Sequence, residues 1–142
     1  MRQTVEFTRL DSRASLPTQA YPDDAGWDLA ALETVRVPVG ARKEVRTGLA
    51  IAIPAGYYGR VTGRSSTIRK MGIFVYEGVA DAGFRGEWTM HVENRSWVPQ
   101  VIEGGQYIAQ LIISPFQEVE WQEVPALVPT VRGERGYGSS SR

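Results

Sequence analysis

The stretch Leu49-Ala50-Ile51-Ala52-Ile53-Pro54-Ala55-Gly56-Tyr57-Tyr58-Gly59-Arg60-Val61-Thr62 reads as two short strands separated by a Pro-Ala-Gly turn. The same rhythm continues upstream, with short runs over residues 34–37 and 44–45 punctuated by Pro38-Val39-Gly40 and Thr47-Gly48. Residues 4–10 alternate with period two and predict a first strand carrying Val5, Phe7 and Arg9 on one side. Downstream, alternation over residues 88–94 puts Trp88, Met90 and Val92 on a core face and Thr89, His91 and Glu93 on the other. Residues 106–113 form a nearly continuous apolar run, the pattern of a strand buried on both faces. Gln110 interrupts that run, so its amide meets either neighbouring backbone or a polar ligand. A further strand is expected over residues 116–123, with Val119 and Trp121 on one face. So many short strands between turn signals predict an all-β sandwich or barrel.

One short helix is expected, within residues 63–72. Ser65 or Ser66 would be its N-cap, Gly72 would end it, and Arg69 and Lys70 would fall in its last turn. Entered through Gly63-Arg64-Ser65-Ser66, it would also offer N–H groups, hydroxyls and a guanidinium to a phosphate.

With 142 residues the chain is the size of one domain. Lysine plus arginine and aspartate plus glutamate number 16 each, so no global field draws it to nucleic acid or an anionic membrane. Cysteine is absent and histidine occurs once, which excludes disulfides and thiol catalysis and argues against a histidine-based zinc site. Neither a signal-like segment nor a membrane-length apolar run is evident, and a soluble, cytoplasmic protein is expected.

Three stretches carry candidate chemistry. Gly78-Val79-Ala80-Asp81-Ala82-Gly83-Phe84-Arg85-Gly86-Glu87-Trp88 reads either as a pocket floor or as a hairpin whose aspartate bonds its own backbone. Ala25-Gly26-Trp27-Asp28-Leu29 reads either as a turn-capped strand start or as part of a site. From Pro125 onward proline, glycine, arginine and serine dominate, as in a disordered tail. Yet Arg132, Tyr137, Ser139 and Ser140 supply a ring for a base and donors for phosphate, and a tail ordered by its ligand satisfies both readings.

Taken in order, these stretches resemble the five motifs of the homotrimeric dUTP pyrophosphatases, the dUTPases. Ala25 through Leu29, Gly63 through Ser66, Gly78 through Glu87, Gly105 through Ile112 and Arg132 through Ser140 match motifs one to five. The resemblance implies a jelly-roll-like β-sandwich over residues 1–124, with residues 125–142 as a flexible arm closing over an active site. It implies Mg2+-dependent hydrolysis of dUTP to dUMP and pyrophosphate, at sites built from three subunits. In that frame Asp81 is the catalytic acid that orients the attacking water. Backbone groups of the hairpin from Val75 to Val79, Gly78 among them, read the uracil edge, Phe84 packs on the deoxyribose, and Arg64, Ser65, Ser66 and Gln110 hold phosphates. Asp28 reaches magnesium through water, Tyr137 stacks on uracil, and Arg132, Ser139 and Ser140 bind the terminal phosphate. Phe84 stands where the family has tyrosine, Gly83 where a second aspartate is common, Tyr107 where arginine is usual and Tyr137 where phenylalanine is. The same fold also resembles dCTP deaminases, in which a glutamate takes the place of His91; a non-catalytic deoxynucleotide-binding module is the third reading.

Overall fold

The computed structural model describes residues 2–138. The strands are β1 (Glu6–Arg9), β2 (Gly26–Ala30), β3 (Val35–Val37), β4 (Arg42–Arg46), β5 (Leu49–Ala52), β6 (Tyr57–Gly63), β7 (Ile73–Val75), β8 (Gly78–Ala80), β9 (Thr89–Asn94), β10 (Gln100–Ile102) and β11 (Tyr107–Pro115), with one helix, α1 (Ser65–Met71), between β6 and β7. The larger sheet runs β2-β11-β6-β8 and the second β4-β9-β7, while β1 pairs with β5 and β3 with β10. Every one of these pairings is antiparallel. The result is a jelly-roll-like β-sandwich whose interior holds Leu29, Leu49, Ile73, Met90, Ile102 and Ile108. Trp88, Met90 and Val92 face that core and His91 faces out, as the alternation predicts.

Helix α1 ends as expected, on Gly72 at φ 65°, whose N–H donates to the Ile68 carbonyl at 2.9 Å. Its start differs from the expectation. Arg64 is the N-cap, in an extended conformation and without a side-chain cap, so Ser65 is already helical. Packing fixes the helix instead: the buried Thr67 donates its hydroxyl to the Ile108 carbonyl at 2.8 Å, fastening α1 to β11.

The strand expected over residues 116–123 does not form. Among the described residues beyond Pro115 no strand is formed, and Val119 and Trp121 are open to solvent, Trp121 at 93 %. Alternation describes an extended segment correctly, but it does not supply a ladder partner, and none of the described strands pairs with residues 116–123.

Asn94, only 1 % exposed, ties the end of β9 to its surroundings. Its Nδ2 donates to the carbonyls of Val37 and Val98 at 2.9 and 2.8 Å, and its Oδ1 accepts from the Ser96 N–H and hydroxyl at 2.8 and 2.7 Å. Every hydrogen-bonding capacity of the amide is thereby used. No helix among the described residues is long and apolar enough to cross a membrane.

Candidate active site

Strands β2, β11 and β6 lie side by side, and their registers set Asp28, Gln110 and Thr62 in one row. Gln110 Nε2 donates to the Gly63 carbonyl at 3.1 Å, so its amide meets neighbouring backbone. Its Oε1 lies over Gly26, where an added Cβ would stand 2.2 Å away. Glycine at 26 is therefore a clearance for the amide at the start of β2.

At the end of β6 the Arg64 guanidinium is held from two directions. Its Nε lies 3.0 Å from Asp28 Oδ1, and its Nη1 donates to the Tyr107 carbonyl at 2.9 Å. This fixes the plane of the fork and leaves donors for a further anion. Ser65 and Ser66 open the helix beside it, and neither hydroxyl has a hydrogen-bond partner among the described residues. The structure thus gathers Asp28, Arg64, Ser65, Ser66 and Gln110 at one place.

Gly78, Asp81 and Phe84 lie elsewhere on the same protomer. Strand β8 pairs with the opposite edge of β6, Gly78 against Val61 and Ala80 against Gly59, so Asp81 comes level with Tyr58. At about 3.3 Å per residue that is roughly 16 Å along the strand from Gly63, which sets the two groups at opposite ends of β6. Asp81 is exposed, and its carbonyl accepts from the Phe84 N–H at 3.1 Å to close a turn. Phe84, 45 % exposed, folds its ring back over Gly86, where an added Cβ would meet Cζ at 2.7 Å.

The turn is anchored behind by Glu87. Arg46 grips its carboxylate at 3.0 Å and the Gly48 N–H donates to it at 3.1 Å, which together hold its carboxyl below the usual range. The Trp88 N–H then bonds the Leu49 carbonyl at 2.8 Å. The motif that presents Asp81 is thus tied firmly to the core of its own chain.

Residues 132–137 of the arm bond one another and expose the ring. Arg132 Nε donates to the Arg135 carbonyl at 2.8 Å, the Arg135 Nε returns a bond to the Arg132 carbonyl at 3.0 Å, and Tyr137 is fully exposed. The expectations for Ser139 and Ser140 lie outside the described residues. Sequence reasoning missed Thr67 and the clearance role of Gly26; both depend on β11, distant in sequence from either.

For a cation, the donor set is sparse: among the described residues no group of three or more histidine, cysteine, aspartate or glutamate side chains could enclose a metal. Asp28, a lone carboxylate facing an anion-binding fork, suits an ion that keeps its waters and bridges to phosphate oxygens, as magnesium does.

A family model described as dUTPase matches residues 12–141. The deoxyuridine 5′-triphosphate nucleotidohydrolase of Mycobacterium leprae is 39 % identical over 148 residues, covering 99 % of this chain and 96 % of the relative. That of Anaplasma marginale is 38 % identical over 142 residues, covering 96 % and 97 %. The structure of the Staphylococcus bacteriophage 80alpha dUTPase with dUPNHPP superposes with a TM-score of 0.94 at 27 % identity, covering 99 % of this chain and 100 % of that one. Ordered strands, a gathered Asp28-Arg64-Gln110 cluster, an exposed Asp81 and near full-length similarity agree: the chain belongs to the dUTPase family.

Proposed function

We propose that the protein hydrolyses dUTP to dUMP and pyrophosphate with Mg2+, at sites assembled between the subunits of a homotrimer. The observation that carries this reading is the Asp28-Arg64-Gln110 cluster, a fixed anion-binding fork beside a carboxylate. The names of the relatives, nucleotidohydrolases of deoxyuridine triphosphate, and the dUPNHPP bound by the phage neighbour support the substrate.

In this mechanism Arg64, Ser65, Ser66 and Gln110 hold the phosphates, and Asp81 of a neighbouring subunit orients a water toward the α-phosphorus. The water oxygen forms the new P–O bond, the bond from the α-phosphorus to the bridging oxygen breaks, and pyrophosphate leaves. Asp81 takes hydrogen bonds from the water and steers its proton away, a contribution of position more than of basicity. Magnesium, when bound through water to Asp28, neutralises charge on the phosphates. Phe84 offers its ring to the deoxyribose, the main chain at Gly78 offers its N–H and carbonyl to the base, and the arm closes with Tyr137 on the uracil and Arg132, Ser139 and Ser140 on the terminal phosphate.

The separation of Asp81 from Arg64 along β6 supports a site shared between copies. Further support comes from an apolar groove of about 480 Å³ lined by Val5, Phe7, Trp27, Tyr57 and Ile113, which suits the exposed apolar side chains of residues 116–124 from a second copy. The test is Mg2+-dependent pyrophosphate release from dUTP, with little from UTP or dCTP, abolished by Asp81→Asn. Ammonia release from dCTP, or nucleotide binding without turnover, would overturn the proposal.

A further inference from the structure

Where Tyr76 and Glu77 cross from β7 in the second sheet to β8 in the larger one, a cleft of about 480 Å³ opens. Gly78 lines it together with Thr89 and His91 of β9 and Arg42, Lys43 and Glu44 of β4. A Cβ added at Gly78 would meet nothing within 4 Å, so the glycine presents bare backbone to open space. Glu77 lies outside both ladders, which leaves a main-chain N–H and carbonyl beside the opening.

The crossing is pinned on each side. The Tyr76 N–H donates to the His91 carbonyl at 2.8 Å, its phenol donates to the Glu93 carboxylate, and Glu77 pairs with Arg60 at 3.2 Å. Arg42 and Arg95 each approach Glu93 to 3.6 Å and cover the rings of Tyr76 and Phe74. From Gly78 to Asp81 an extended strand covers about 10 Å, a span that a pyrimidine and a deoxyribose fill.

We propose that His91 is a specificity-determining residue of this cleft, its imidazole N–H donating to the 4-keto oxygen of the pyrimidine while main chain at 77–78 reads the rest of the edge. This rests on the dUTP reading of the site given above. The imidazole has no hydrogen-bond or ion-pair partner among the described residues, its register partner Glu44 included, so its donor is available to a ligand. A 4-amino pyrimidine would set donor against donor, and a site arranged around a keto oxygen rejects such an analogue.

The experiment measures pyrophosphate release from dUTP, and inhibition of that reaction by dCTP, in the full-length protein, His91→Leu, His91→Gln and Gly78→Val. We expect His91→Leu to raise the KM for dUTP about tenfold with kcat little changed, and to leave inhibition by dCTP as strong or stronger. Glutamine, which keeps a donor at similar reach, should restore most of the KM, a rescue that a merely structural role would not give. Gly78→Val should weaken both nucleotides by filling the cleft. An unchanged KM in His91→Leu while Gly78→Val acts would overturn the histidine's role and leave the nucleotide site standing. Indifference of KM to both substitutions would move the base out of this cleft, and a wild-type protein without pyrophosphate release would overturn the underlying reading. His91 is exposed, so thermal unfolding of His91→Leu should match the wild type.

Discussion

Asp28 Oδ1 lies 3.0 Å from Arg64 Nε, so the carboxylate holds the guanidinium in place before any anion arrives. Arg64→Lys replaces a planar fork by a single ammonium that cannot serve Asp28, the Tyr107 carbonyl and a phosphate together. We expect kcat/KM for dUTP to fall about a hundredfold. Asp28→Asn keeps the shape but loses the charge, and the Mg2+ concentration for half-maximal rate should rise severalfold; titration of the rate with Mg2+ checks both.

Gly26→Ala tests the clearance beneath Gln110. The new methyl would overlap Oε1 and push the amide away from the Gly63 carbonyl. Pyrophosphate release should drop at least tenfold, while circular dichroism stays that of a folded β protein. Gly26→Ala combined with Gln110→Ala, which removes the clash and the amide together, should be no worse than Gln110→Ala alone.

Sharing of sites between copies predicts complementation. Asp81→Asn and Arg64→Ala chains should each be nearly inactive, yet trimers mixed from both should regain part of the wild-type rate, because some sites then draw both intact halves. Chains truncated after Val131 should keep the wild-type sedimentation coefficient and lose turnover, and those truncated after Pro115 should also lose trimer. Mixed trimers as inactive as their parents would place both halves in one copy.

Asn94→Ala removes four hydrogen bonds from a buried corner and takes the Nδ2 donor from the carbonyls of Val37 and Val98, of which Val98 keeps the Ser96 hydroxyl. The expected loss is about 2–4 kcal/mol of folding stability, read from urea unfolding.

The Arg46–Glu87 pair sets an acid limit. Its hydrogen bonds hold the Glu87 carboxyl below its ordinary value of 4.5, so the pair's contribution is present above that pH and is lost as pH falls through the lowered folded value. The wild type should melt above Glu87→Gln at pH 7, and the two melting curves should converge on acidification below pH 4.5.

Features decided by near neighbours were legible in the sequence. Alternation over residues 88–94 gave the buried Trp88, Met90 and Val92, and Gly72 marked the helix end because a left-handed cap is a local requirement. Features that depend on the partner strand were not. Ser65 looks like an N-cap, yet the cap is Arg64, and the helix is fastened through Thr67 to Ile108 of β11. Residues 116–123 alternate like a strand, yet alternation says nothing about who supplies the edge. For the site, motif order identified Asp28, Arg64 and Gln110 as companions, while only the β6 ladder shows how far Asp81 stands from them.

Strand β6 thus acts as a spacer, with the Arg64 guanidinium beyond Gly63 at one end and the Asp81 turn beside Gly59 at the other. Under the proposed sharing of sites in a trimer, each protomer would serve two reaction centres, so one faulty copy would degrade its neighbours' output as well as its own. Cells making a mixture of sound and damaged chains would then lose more activity than the damaged fraction alone accounts for.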